Sequence, residues 1–199
     1  MIYTDLTKCA MKLAFDAHKD QVDKSGMAYI YHPIHLAEQM DDEYSTCVAL
    51  LHDTVEDTDM TFEKLTEYGF PHEVIDALKL LTHDDSVPYM DYVKTIKDNY
   101  LARKVKMADL AHNSNLSRLN MIDEKSIQRI RKYFEALILL NDSDTYKNAK
   151  YFIMDKKRIV MMKENIFYSI SDSGQWTHSS YDTSRYYDAA YDYEEFVIN

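Results

Sequence analysis

The chain has 199 residues, with 23 Lys and Arg against 34 Asp and Glu for a formal charge of −11 at pH 7, the wrong field for gripping a nucleic-acid backbone through counterion release. Only 3 Gly and 3 Pro punctuate it, which disfavours a turn-rich sandwich or barrel, and 17 Tyr with 7 Phe exclude disorder for the bulk of the chain. No run approaches the roughly 18 apolar residues of a membrane span, so a chain with no membrane partner is expected.

The first segment carries Leu6, Met11, Leu13, Ala14 and Ala17 at helical spacing, predicting an amphipathic helix over about 6–21 rather than an export signal, ended by the turn at Lys24, Ser25 and Gly26. Pro33 predicts a helix over 33–40. Val48, Leu51 and Val55 form one stripe and predict a helix over 46–57, Thr61 caps a short helix to 68, and Pro71 opens another that buries Val74, Leu78 and Leu81. Pro88 opens a helix to 99, and segments 101–116 and 123–140 complete the set, the last with Ile127, Ile130, Phe134, Leu137 and Ile138 inward. Cys9 and Cys47 make neither a CxxC pair nor a disulfide framework, which suits buried thiols in a reducing cytoplasm. The expected fold is therefore mainly α, a helical bundle over residues 1–148.

Past residue 141 the texture changes, through a polar stretch at 141–144 into β-like runs at 152–154, 158–162 and 166–170 and a turn at 172–174. Tyr181, Tyr186, Tyr187, Tyr191 and Tyr193 then alternate with acids. Residues 149–199 read as a small acidic, Tyr-rich β extension. It has too few strands to fold alone, so it is expected to cover an apolar patch on the bundle or across a two-fold homodimer.

The chemistry begins at Leu50-Leu-His-Asp-Thr-Val-Glu-Asp57. On one helix His52 lies over Glu56 and Asp53 over Asp57, so an imidazole and three carboxylates share a site. Carboxylates crowded beside apolar stripes raise one another's pKa, and a divalent cation relieves that repulsion. His32 stands at the mouth of a helix in Tyr29-Ile-Tyr-His-Pro, and Lys106, Asp109 and Asn113 share one face of the helix in Val105-Lys-Met-Ala-Asp-Leu-Ala-His-Asn. An Asp within such an apolar helix is costly unless paired or metal-bound. With His32, His52, Asp53 and Asp109 as ligands, the mixture of imidazole nitrogen and hard oxygen suits manganese, iron or zinc better than calcium.

These three blocks, in this order over about residues 10–140, resemble the HD-type hydrolase domain of the RelA/SpoT family, and most of all its small stand-alone alarmone hydrolases of the metazoan SpoT-homologue type. The resemblance implies an all-α HD domain, one manganese ion and removal of the 3′-pyrophosphate from (p)ppGpp. Carried over position by position, it makes His32, His52, Asp53 and Asp109 the metal ligands and Glu56 and Asp57 the pair that handles the attacking water. It makes Lys24, Asn113, Arg129 and Tyr133 substrate contacts, the last two one turn apart in Gln128-Arg-Ile-Arg-Lys-Tyr, and Tyr29 and Lys106 are expected at the substrate beside them. Leu110 and Ala111 depart from the basic residue the family often carries before its final His-Asn, and an acid, Asp23, precedes Lys24.

The chemistry expected is metal-assisted hydrolysis, with Glu56 or Asp57 as general base and Lys24, Lys106 and Arg129 supplying locally the positive charge that the surface as a whole lacks. Two other readings stay open: an HD phosphohydrolase of another nucleotide, and a non-catalytic metal- or nucleotide-binding module. Outside the site, His18 is expected to be a hydrogen-bonded structural residue, His35 a helix-surface one, and His72, His83 and His178 solvent-facing.

Overall fold

The computed structural model describes residues 1–121, 123–141, 149–154, 158–163, 166–178 and 193–196. Tyr181, Tyr186, Tyr187, Tyr191 and most of the polar stretch at 141–144 lie outside them. The chain divides into two compact units, Met1–Ala108 and Asp109–Asn199.

The first unit holds α1 (Asp5–His18), α2 (Tyr31–Glu38), α3 (Glu43–Leu51), α4 (Thr54–Asp57), α5 (Phe62–Glu67), α6 (His72–Leu81) and α7 (Tyr89–Ile96). The next helix, α8 (Tyr100–Asn113), runs without interruption past Ala108. Short polar side chains start several of these helices: Thr4, Asp42 and Thr61 accept the backbone N–H of Thr7, Ser45 and Lys64, satisfying donors that a first helical turn leaves without partners. Pro71 and Pro88 immediately precede α6 and α7.

At the centre lies α3, which packs against α1, α2 and α6. Every residue from Ser45 to Leu51 is buried. A helix enclosed on all sides has no polar face to spare, and the hydroxyls of Ser45 and Thr46 turn back onto Asp42, at 2.6 Å to its carboxylate and 2.7 Å to its carbonyl.

The helix expected over 46–57 is broken in two at His52 and Asp53. Side chains take over carbonyls that a continuous helix would bond: His52 Nδ1 lies 2.9 Å from the Ala49 carbonyl, and Thr54 Oγ1 donates to that of Leu51 at 2.7 Å. Such local competition opens a helix where it is strongest. Beyond the break, α4 resumes with the Asp57 N–H on the Asp53 carbonyl at 2.9 Å.

In the second unit, α9 (Glu124–Leu140), capped by Asp123, precedes β1 (Lys150–Met154), β2 (Arg158–Lys163), β3 (Ile166–Ile170), β4 (Trp176–His178) and β5 (Tyr193–Phe196). They form one antiparallel sheet in the order β4-β3-β2-β1-β5. Tyr151 pairs with Met161 and Phe152 with Val160, and successive strand residues face opposite ways. Tyr151 and Met161 therefore join Leu116, Ile130 and Phe134 in one core, with Trp176 against it, while Phe152, Val160 and Phe167 make another. The fold is mainly α with a small C-terminal sheet. Because α9 shares a core with the strands, the compact units part at Ala108, upstream of the change in sequence texture at 148. Among the described residues no helix is long and apolar enough to cross a membrane.

Candidate active site

The break between α3 and α4 falls at His52 and Asp53, two of the ligands expected from the sequence. His52 Nδ1 faces the Ala49 carbonyl, which can only accept, so Nδ1 carries the hydrogen and Nε2 keeps its lone pair. That lone pair lies 2.9 Å from Asp53 Oδ2, and His32 Nε2 lies 3.9 Å from the same oxygen. The rings of His32 and His52 meet edge to face at 5.2 Å between centroids. Tyr29 reaches in from the loop before α2 and donates its hydroxyl to Asp53 Oδ2.

Asp109 comes from α8, the same continuous helix that carries Lys106. His32, His52 and Asp109 are 4%, 4% and 6% exposed. Each presents one ligand atom, and these atoms all lie within 4.8 Å of one another. Around an ion with bonds of about 2.0–2.2 Å, ligand atoms stand at most about 4.4 Å apart. Atoms gathered this closely can converge on one metal ion, with Asp53 beside them. The donor set fits: a fixed imidazole lone pair and a buried carboxylate, both costly without a cation. Asn113 donates its amide N–H to Asp109 and accepts from Arg118 at 3.4 Å, so it orients the carboxylate from one turn away.

Glu56 and Asp57 follow on α4. Desolvation raises the carboxyl pKa of Glu56, and Asp53 and Asp57 push it further up against the pull of the His83 N–H and Lys106. Asp57 is also raised, by desolvation first and then by Asp53, with His18 and His52 pulling the other way. Two acids held above the ordinary carboxylate range beside a third fit proton transfer. The loop after α6 secures one of them: the His83 N–H donates to Glu56 Oε2 at 2.9 Å.

The remaining expected contacts are placed as follows. Lys24 is exposed on a loop closed by Asp23, whose carboxylate accepts the N–H groups of Ser25 and Met27 at 2.8 and 3.0 Å. The acid before Lys24 thus folds the loop that presents it. Lys106 lies over the ring of Tyr92 at 5.6 Å and acts on Glu56 by charge. Arg129 and Tyr133 are on α9 in the second unit, both partly buried, with Arg129 3.4 Å from Ser126 Oγ.

Two histidines outside the expected set stand close to it. His83 is half-buried rather than fully open to solvent: its ring packs on Tyr92 at 4.5 Å and its Nε2 lies 2.9 Å from the Val87 carbonyl, an arrangement only the folded loop reveals. His18 is hydrogen-bonded to Gln21, as expected of a structural residue, and its ring also stands against that of Tyr29 at 5.0 Å between centroids.

A mainly α fold with a buried His-His-Asp group, its second histidine at the break between two short helices, resembles that of HD-type domains. No family model matches the chain, but individual relatives do. It is 35% identical over 140 residues to the guanosine-3′,5′-bis(diphosphate) 3′-pyrophosphohydrolase MESH1 of Danio rerio, covering 63% of this chain and 76% of the relative. It is 32% identical over 139 residues to that of Xenopus tropicalis, covering 63% and 77%. A solved structure reported as a metazoan orthologue of SpoT shares the fold with a TM-score of 0.60 at 23% identity, over 71% of this chain and 89% of the other. The chain belongs to the MESH1 family of RelA/SpoT-type HD hydrolases.

Proposed function

We propose that the protein is a manganese-dependent hydrolase that removes the 3′-pyrophosphate from guanosine alarmones, with residues 1–148 as its HD domain. The observation that carries the reading is the buried convergence of His32, His52 and Asp109, with Asp53 beside them and two raised-pKa acids on the next turn, in a chain one-third identical to proteins named for that reaction. His32, His52, Asp53 and Asp109 would hold the ion, which when bound would supply Lewis-acid charge for the substrate's phosphoryl group. Glu56 and Asp57 orient water and take its proton, a role worth roughly a hundredfold to ten-thousandfold in rate.

Lys24, Lys106 and Arg129 neutralise the substrate's phosphates against the chain's overall negative charge, Tyr133 and Asn113 complete the contacts, and Tyr29 flanks the substrate while holding Asp53. The test is hydrolysis of ppGpp by the purified protein with and without manganese, beside a panel of other nucleotides. Pyrophosphate released from ppGpp in preference to the panel supports the reading. Turnover of another nucleotide alone, or binding without turnover, contradicts it.

A further inference from the structure

We infer that His18 is a positioning residue of this site, holding Asp57 through Gln21 and Asp53 through Tyr29. The kinetic part of the inference rests on the function proposed above. His18 ends α1 and is 1% exposed. Its Nδ1 lies 2.7 Å from Gln21 Oε1, and Gln21 Nε2 donates to the Asp57 carbonyl at 3.0 Å. An amide oxygen only accepts, so Nδ1 carries the hydrogen and the chain of bonds runs in one sense, from imidazole to amide to the end of α4.

That anchor matters because α4 has only four residues, Thr54–Asp57, too few for a helix to hold itself in place. Its last carbonyls have no partner within the helix. The Gln21 amide takes the one on Asp57, and with it the direction of the helix that carries Glu56 and Asp57. On the other side, the His18 ring packs against Tyr29 with centroids 5.0 Å apart and planes inclined by 50°, and Tyr29 gives its hydroxyl to Asp53. One buried imidazole thus braces a proposed ligand and a proposed base from opposite edges.

A purely space-filling role does not account for the second nitrogen. His18 Nε2 is closed to solvent and has no hydrogen-bond partner among the described residues, a state that costs free energy and that an apolar side chain would avoid. With Nδ1 protonated, Nε2 is a lone-pair acceptor.

The test uses the full chain with Gln21→Met, which removes the bridge but keeps its length, together with His18→Ala and His18→Asn, the last retaining an N–H near the position of Nδ1. In metal-free protein, hydrogen exchange of the amides at 54–58 should rise about tenfold in Gln21→Met and His18→Ala, the equivalent of one lost hydrogen bond, while α3 stays protected. His18→Asn should restore most of that protection. With manganese, kcat for ppGpp should fall about tenfold to a hundredfold with KM within twofold and metal stoichiometry as in wild type.

Unchanged exchange at 54–58, equal loss of protection in α3, a loss carried by KM, or an His18→Asn as impaired as His18→Ala would each overturn the inference. A wild type that turns over no alarmone would sink the proposed function alone, since the exchange measurement still decides what His18 does.

Discussion

Replacing Glu56 with Gln separates binding from chemistry more cleanly than any other change at this site. The side chain keeps its shape, and its oxygen can still accept the His83 N–H that Glu56 Oε2 accepts at 2.9 Å, so the loop after α6 stays in place. What is lost is one negative charge and one proton acceptor. If Glu56 takes the proton from water, kcat should fall roughly a hundredfold to ten-thousandfold while KM moves by less than twofold.

Stability should move the opposite way. Desolvation, Asp53 and Asp57 hold the Glu56 carboxyl above its ordinary range. A raised carboxyl pKa means the folded state binds the proton more tightly than the unfolded one, so the ionised side chain costs stability at pH values above the folded pKa. That cost fades as the pH falls through the folded pKa to the unfolded one. Partly solvated like-charge contacts are worth about 0.2–1 kcal/mol, and 1 kcal/mol shifts the melting temperature of a chain this size by about 2–4 °C. Metal-free Glu56→Gln should therefore melt about 0.4–4 °C above wild type at pH 7 and level with it near pH 4. Steady-state kinetics, manganese stoichiometry and melting at the two pH values check all three parts. Metal lost together with activity would mean that Glu56 is a ligand, and an unchanged kcat would remove it from the chemistry.

Other parts of the account can be tested separately. Lys104 is partly buried and ion-paired to Asp41 and to Asp42, the latter at 3.0 Å, so Lys104→Met should cost about 1–2 kcal/mol, between the values for exposed and buried pairs. Desolvation raises the Asp42 pKa, but bonds from Ser45 and Lys104 outweigh it and hold the net value low. That contribution should be full above about pH 4, the unfolded range, and disappear as acid titrates the folded carboxylate, which urea denaturation across pH reads directly. Phe134 is fully buried, with the single tryptophan of the chain, Trp176, at 5.6 Å between ring centroids. Phe134→Ala should cost about 3–5 kcal/mol and shift tryptophan emission to the red; unaltered emission would contradict the shared core of α9 and the sheet.

Much of the helical framework was legible because local chemistry wrote it. The core stripe of α9 and its start at Asp123 follow from sequence alone, as do the starts of α6 and α7 after Pro71 and Pro88. The break at His52 and Asp53 was not, since it depends on His52 and Thr54 reaching back to the Ala49 and Leu51 carbonyls, a competition that periodicity does not register. Strand β5 escaped notice for another reason: its residues, Tyr193–Phe196, read as an acidic tail until β1 pairs with them from far along the chain. In the site, the three sequence blocks named the groups that converge, but the parts played by His83 and His18 are set by tertiary contacts with Glu56, Gln21 and Tyr29.

The central claim is that His32, His52, Asp53 and Asp109 hold a catalytic ion, and titration of metal-free protein with manganese tests it most directly. Wild type should take up one ion per chain, and His52→Ala and Asp109→Ala should take up none while their helical circular dichroism remains that of wild type. Full manganese occupancy in either variant, with the fold intact, would contradict the account.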